Sequence, residues 1–427
     1  MGSDAAGGHF DRLVLRNVRC FREATIELHP QLTVLLGENG AGKTTVIEAL
    51  ASLTHAEEEG LPAFPLTHGA KSGEIAVYVA AVKRPVARWK AGGAGTRQRL
   101  PIDRPFLAYG RYRRVYFPDE DGSYPAPNPT LAELAARAYQ GCTATVFRPD
   151  THLLRDLARY LVVLHEARKS DPRIDATWKR LDSSLSQLGQ GLTGITFDEG
   201  KTEWIPQVVR NGFPLELKEL SDGYQAVLVI VFDLVLRYLY LFPTLEDPLL
   251  GRATVAIDEV DLHLHPRWQR TVAAQLTTLF PNTQFILTTH SPAVVQGAID
   301  SRHQVVSLRE ETGQVTATSL TAKETEDLDG AEIGSVLLEE KLFSLDSRYS
   351  TKFSEVEERV NVIRKAISKG RATEEQRKQL FEDLGTLQRL VAEDEIRRAD
   401  GSFMSQMSGL RKAFLEDLAA AIEKVKP

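Results

Sequence analysis

Cysteine is nearly absent from this chain, with two in 427 residues, Cys20 and Cys142, far apart. That excludes a disulfide framework and every thiolate zinc spacing, and it fits a reducing, cytoplasmic setting. Net positive charge is lacking too. The formal balance is -6, so the chain as a whole is no basic coat for nucleic acid. No apolar leader opens the sequence: residues 1–9 are small and polar and read as a flexible N-terminus. The longest apolar run, residues 226–242, is broken by Asp233 and Arg237. It is too short to span a bilayer and reads as a buried helix, so no membrane partner is expected. No internal repeat of roughly 20 to 50 residues marks a solenoid or propeller.

What is present is globular. Hydrophobic residues make up 42% and charged residues 26%, enough for a sizeable core in more than one domain. Residues 13–15 and 25–28 read as short strands, and residues 32–36 as an apolar strand entering a glycine turn. Residues 44–53 read as a helix. Residues 54–105, rich in Gly, Pro and Ala, read as loops and weak strands. Helical spacing returns between 150 and 190, and residues 194–217 alternate around an Asn211-Gly212 turn. Residues 253–257, 285–288 and 305–308 are further strands, with a helix over 268–280. This alternation predicts a largely parallel sheet covered by helices.

Four motifs carry chemistry. Gly37-Glu38-Asn39-Gly40-Ala41-Gly42-Lys43-Thr44 fits G-x-x-x-x-G-K-[ST], between a strand and a helix. Its glycines let backbone N–H groups turn toward phosphate, and the helix N-terminus favours the charge. Asn39, Gly40, Ala41, Gly42, Lys43, Thr44 and Thr45 are the residues expected to touch nucleotide. Lys43 would reach the β- and γ-phosphates and the Thr44 hydroxyl would bind Mg²⁺. Val255-Ala256-Ile257-Asp258-Glu259 ends an apolar strand in two carboxylates. Asp258 would hold Mg²⁺ and Glu259 would orient or deprotonate the attacking water. In Leu220-Ser221-Asp222-Gly223-Tyr224-Gln225, Ser221 reads as a helix N-cap. With Gly223 it also reads as a second phosphate cradle. His290, in Thr288-Thr289-His290-Ser291-Pro292, follows one helix and one strand after Glu259; a lone histidine there is more often structural, and its functional reading comes from the resemblance that the four motifs carry together.

In this order the motifs resemble the ABC-ATPase superfamily shared by SMC, RecF and OLD proteins. Leu15-Arg16-Asn17-Val18-Arg19-Cys20-Phe21 before the loop is similar to the RecF and OLD branch. Asp258-Glu259-Val260-Asp261-Leu262-His263-Leu264-His265-Pro266 and residues 220–224 resemble compact prokaryotic ATPases, among them the ATPase subunits of Septu anti-phage systems and retron-associated relatives. The resemblance covers about residues 10 to 310. It implies an α/β fold, an ABC-ATPase head of the P-loop NTPase kind over residues 10–325. A helical insertion lies at about 130–190. It further implies ATP and Mg²⁺ as cofactors, with Lys43, Glu259 and His290 catalytic. Ser221 and Gly223 would complete the site of the opposite protomer in a homodimer or higher oligomer. A separate nuclease effector under its control is the implied output; a RecF-like role in DNA maintenance is the alternative.

The sequence departs from that pattern at one point. Residues 106–113 sit where the metal-sensing glutamine loop belongs, and they hold no Gln. The span between Lys43 and Asp258 also leaves no room for long coiled coils. His263 and His265, with His290, offer a zinc reading, against which stands their place in the resemblance, where Asp261 would face a partner protomer. Residues 83–114 carry Lys83, Arg84, Arg88, Lys90, Arg97, Arg99, Arg104, Arg111, Arg113 and Arg114 against Asp103 alone. Such a stretch, with Tyr109, Tyr112 and Tyr116, would track DNA or another nucleic acid, or form a solvated surface. Residues 326–427 read as a charged helical region. Val356, Val360, Ile363, Ile367 and Leu380, Leu384, Leu387, Val391 fall on two helices turning at Lys369-Gly370-Arg371, a hairpin.

Overall fold

The structure, a computed structural model, describes residues 9–53, 65–80, 82–91, 96–98, 105–111, 146, 157–188, 191–198, 205–311, 313–329, 336, 342 and separate positions between 359 and 386. Residues 1–344 form one compact unit and 345–427 a second.

Strict alternation of side chains between two faces builds the first unit. A six-stranded sheet runs in the order β14 (Gln314–Ser319), β13 (Gln304–Glu311), β3 (Leu32–Gly37), β12 (Gln284–Thr289), β11 (Thr254–Ile257), β7 (Phe106–Tyr109). All neighbours are parallel except β13 and β14. One face carries Val34, Leu36, Leu107, Tyr109, Val255, Ile257, Phe285 and Leu287. On the other lie Leu35, Ala108, Ala256 and Ile286. A strand covered on both faces has no use for polar alternation, which is why β3, β11 and β12 read as continuous apolar runs.

The first face is covered by helices: α2 (Leu157–Ala167), α3 (Pro172–Leu188), α4 (Asp222–Leu241), α5 (Pro266–Leu279) and α6 (Pro292–Asp300) contribute to its core. The second face holds α1 (Lys43–Ser52) and an antiparallel sheet in the order β2 (Phe21–Glu27), β1 (Phe10–Val18), β4 (Gly73–Val79), β5 (Ala87–Ala91), β6 (Thr96–Gln98). Residues 73–98, expected as loops and weak strands, therefore hold three paired strands. Ile75, Val77 and Val79 fill one face of β4, an alternation masked in the sequence by surrounding Gly and Ala. A third sheet, β8 (Leu192–Asp198), β9 (Ile205–Arg210) and β10 (Phe213–Glu216), turns at Asn211-Gly212, both with positive φ, as a tight hairpin requires. A last helix, α7 (Ala322–Leu328), opens with a capping box from Thr321 and Glu324.

Helix α4 is longer than the apolar run suggests, because it begins at Asp222. Over Gly223–Leu241 it is long and apolar enough to cross a membrane. That corrects the reading of it as too short. Its side chains are instead buried in the helical core, from Leu228 through Leu236 almost without exposure. Its two interrupting charges are buried as well. Arg237 pairs with Asp233 one turn away, and the Tyr109 hydroxyl donates to Asp233 Oδ2 at 2.6 Å.

In the expected insertion, α2 and α3 are described from Leu157 onward; residues 130–145 and 147–156 lie outside the described residues. Within the second unit, Arg359 Nη2 donates to Asp383 Oδ1 at 3.1 Å, and Val360, Ile363 and Leu380 are buried. The expected turn at Lys369-Gly370-Arg371 lies outside the described residues.

Candidate functional site

The parallel register carries β3, β12 and β11 to one edge of the sheet, and the motif residues stand there. At the end of β3 the chain turns through Gly40 and Gly42, with φ of 90° and 89°. L-residues are strained at such angles. A Cβ on Gly42 would also lie 2.7 Å from the Phe21 ring and 2.8 Å from Cys20 Sγ. Gly42 is the N-cap of α1, and no side chain caps it. The first N–H groups of α1 thus have neither an i-4 carbonyl nor a cap, the arrangement that suits an anion. Lys43 Nζ donates to the Gly37 and Glu38 carbonyl oxygens at 2.6 and 3.0 Å. Burial pushes its pKa down, while Asp258, Glu259, Asp261 and Glu38 oppose that shift.

The two metal candidates meet. Thr44 Oγ1 donates to Asp258 Oδ2 at 2.8 Å, across 214 residues of sequence. Asp258 is 1% exposed. Thr288 Oγ1 donates to its other oxygen at 2.6 Å and accepts from the Glu259 N–H at 2.7 Å. Glu259 itself sits at φ 47°, a left-handed turn that takes its side chain out of the strand's alternation. A hydroxyl, a carboxylate and a glycine-turn helix N-terminus fit Mg²⁺ and a polyphosphate chemically.

His290 stands beside them. Its Nδ1 lies 3.3 Å from Asp261 Oδ2, and Thr289 Oγ1 donates to Asp261 Oδ1 at 2.6 Å. Asp261 is 4% exposed. It therefore anchors its own chain's histidine, where the resemblance implied a carboxylate turned toward a partner protomer. The reason is local: Asp261 follows a turn that points it back at β12. Zinc finds no support in His263 and His265. His265 Nδ1 accepts the Arg267 N–H at 3.3 Å as the cap of α5, and among the described residues no group of three His, Cys, Asp or Glu could hold a metal.

Ser221 is the N-cap residue of α4 by position, yet its side chain makes no capping hydrogen bond. The expected N-cap position is thus the observed one, without the side-chain bond. Gly223 packs so tightly on the His263 carbonyl oxygen that a Cβ there would collide with it. The turn that holds Ser221 and Gly223 thereby rests on the same loop that follows Asp258 and Glu259. Tyr224 stacks edge-on against Trp268, centroids 4.0 Å apart, which fastens that junction.

Several supporting residues escape a reading of the sequence. Thr288 and Thr289 left one signal, two hydroxyls ending an apolar strand. Arg19, at φ 49°, pairs with Glu48 of α1 and lies 3.4 Å from Thr45 Oγ1. Burial pushes the Glu48 carboxyl up and Arg19 pulls it back. Gln269 ties the next turn, donating to the Leu264 carbonyl at 2.9 Å and accepting from Ser291 Oγ at 2.6 Å. In the basic segment, Glu74 of the adjacent strand draws Arg88 to 2.8 Å, Lys90 to 3.9 Å and Arg16 to 2.9 Å. That removes part of the local positive charge by a partner the linear count could not include. Arg99, Arg104, Tyr112, Arg113, Arg114 and Tyr116 lie outside the described residues.

Known proteins share parts of this sequence. The chain is similar to "Retron Vc95 probable ATPase" of Vibrio cholerae serotype O1 biovar El Tor, 42% identical over 100 residues, 23% of this chain and 20% of that protein. It is similar to "Retron Ec83 probable ATPase" of Escherichia coli, 34% identical over 35% of this chain and 28% of that one. It is also similar to "Septu protein PtuA" of Bacillus mycoides (strain KBAB4), 25% identical over 73% of this chain and 40% of that one. The matched part thus spans well under half the length of each of these relatives. Among solved structures it is similar to an SMC head bound to the C-winged helix domain of ScpA, with 14% identity, a TM-score of 0.47 and coverage of 74% of this chain and 99% of that one. Residues 32–296, more than half of the chain and the whole span from phosphate loop to His290, match one family profile. The chain is an α/β protein with the ABC-type P-loop ATPase fold, and it belongs to the family described as "AAA domain, putative AbiEii toxin, Type IV TA system".

Proposed function

We propose that this chain binds ATP with Mg²⁺ and hydrolyses it at a site shared between two copies, in the cytoplasm. The observation that carries the reading is the 2.8 Å bond between Thr44 and Asp258. It joins the phosphate loop to the acidic strand end, the pair that would hold Mg²⁺ on a triphosphate. The bound metal would supply charge neutralisation on the β- and γ-phosphates. The chain's own residues do the rest. Lys43 binds the phosphates, residues 39–45 cradle them, Glu259 orients the water, and His290, steadied by Asp261, contacts the γ-phosphate. Ser221, whose side chain makes no capping bond to its own helix, and Gly223 of a second copy would close the far side. By likeness to the retron and Septu relatives, ATP-driven closure would control a separate nuclease effector in anti-phage defence.

The shared site is tested by complementation. Lys43→Ala and Ser221→Arg chains should each be inactive alone, and mixing them should restore ATPase activity, because one of the two sites in a mixed pair keeps every group. A mixture no more active than either parent would sink the shared-site reading. Co-purification of a nuclease with the tagged chain tests the output; its absence from the native host would remove support for the effector.

A further inference from the structure

We infer that Arg111 replaces the absent metal-sensing glutamine and holds the γ-phosphate, so that this site distinguishes ATP from ADP by a cation of its own. The inference rests on the ATP reading above.

Strand β7 is the outer neighbour of β11, parallel to it, with Tyr109 opposite Ile257. The Asp258 N–H donates to the Tyr109 carbonyl at 2.8 Å, so the pairing continues to the strand end. Gly110 and Arg111 therefore leave the sheet on the same edge as Asp258 and Glu259. Gly110 is buried, and Arg111, the next residue, is exposed. The other flank is α1, which packs on β7. Its Glu48 carboxyl is raised by Asp258 and lowered by Arg111, so the Arg111 charge acts on the helix that flanks this edge.

Charge gives that position its meaning. The edge holds Asp258, Glu259, Asp261 and Glu38 around a single lysine. Arg19 is already committed to Glu48. A triphosphate adds further negative charge to an acidic edge, which Lys43 and the metal would otherwise have to offset. A glutamine oxygen would ligand that metal. An arginine repels it and favours phosphate oxygens instead, with planar, charge-assisted donors. Located past the strand end that carries the Mg²⁺ carboxylate, it serves the terminal phosphate, the group that ADP lacks.

The test compares adenosine 5′-(β,γ-imido)triphosphate with ADP on the full chain, by titration with and without Mg²⁺. Arg111→Ala should weaken the triphosphate about tenfold and leave ADP nearly unchanged; Arg111→Lys should recover part of the loss. Arg111→Gln should restore no triphosphate affinity without Mg²⁺ and should steepen its Mg²⁺ dependence. Equal loss for both nucleotides, or no change in the ratio for any of the three variants, would overturn the inference. If the wild-type chain binds neither nucleotide, the ATP reading itself fails, a result distinct from an unchanged ratio. Thermal unfolding of each variant separates a loss of folding from a loss of nucleotide affinity.

Discussion

Thr288 makes two hydrogen bonds at the proposed site, one to Asp258 and one from the Glu259 N–H. It is fully buried. Thr288→Val keeps the shape and removes the hydroxyl, taking the acceptor from the part-buried Glu259 N–H and the donor from the buried Asp258 carboxylate. Stability should fall by about 1–3 kcal/mol, read from the urea midpoint, and turnover should fall with it, since Glu259 loses what fixes its left-handed turn. An unchanged midpoint would show that these bonds are replaceable. Among single residues, those proposed to touch nucleotide were legible, because a phosphate loop and an acidic strand end are short contiguous patterns. Their supports were not. Thr288, Thr289, Arg19 and Asp261 act through space on residues that lie far from them in sequence or in another element.

Among the elements, α4 shows how composition and placement part company. Its Asp233–Arg237 pair lies one turn apart in the core, with Tyr109 of β7 closing on the same carboxylate. Asp233→Ala leaves Arg237 charged and buried, so it should cost about 3–5 kcal/mol, whereas Asp233→Leu with Arg237→Met should cost far less. Urea unfolding of both variants tells them apart; equal losses would mean the volume, not the charge, matters. A second device at this level lies at the start of β3 and β13. His29 and His303 approach to 6.3 Å between ring centroids. Burial lowers the pKa of both below 6.5, helped for His29 by His9 and for His303 by His29. His29 Nδ1 also accepts the Gln31 N–H at 3.2 Å, which a proton there would oppose. The unfolded chain then binds more protons than the folded one below pH 6.5. Stability is therefore fully present above that value and is lost as pH falls beneath it. Melting curves from neutral to mildly acidic pH should show the loss, and His29→Gln with His303→Gln should flatten it. A slope unchanged by the double substitution would assign the acid sensitivity elsewhere.

In the molecule as a whole, residues 1–344 and 345–427 are separate compact units, and every described motif residue lies in the first. A chain ending at Ser344 should keep its fold and the proposed nucleotide affinity. Circular dichroism and nucleotide titration check this; loss of binding would tie the two units together. The phosphate loop, the acidic strand end, the parallel sheet and the buried character of α4 could all be read along the chain, because each is written in contiguous periodicity or in a fixed local spacing. Folding was needed to show that Thr44 bonds Asp258 directly, that Asp261 turns inward to His290, that Ser221 makes no side-chain cap bond, that Glu74 draws off part of the basic stretch, and that Arg111 follows the strand beside Asp258. The physical reason is the same in each case. A hydrogen bond or an ion pair reaches about 3 Å, and pairing and packing bring together positions well apart along the chain, a coincidence that no local pattern records.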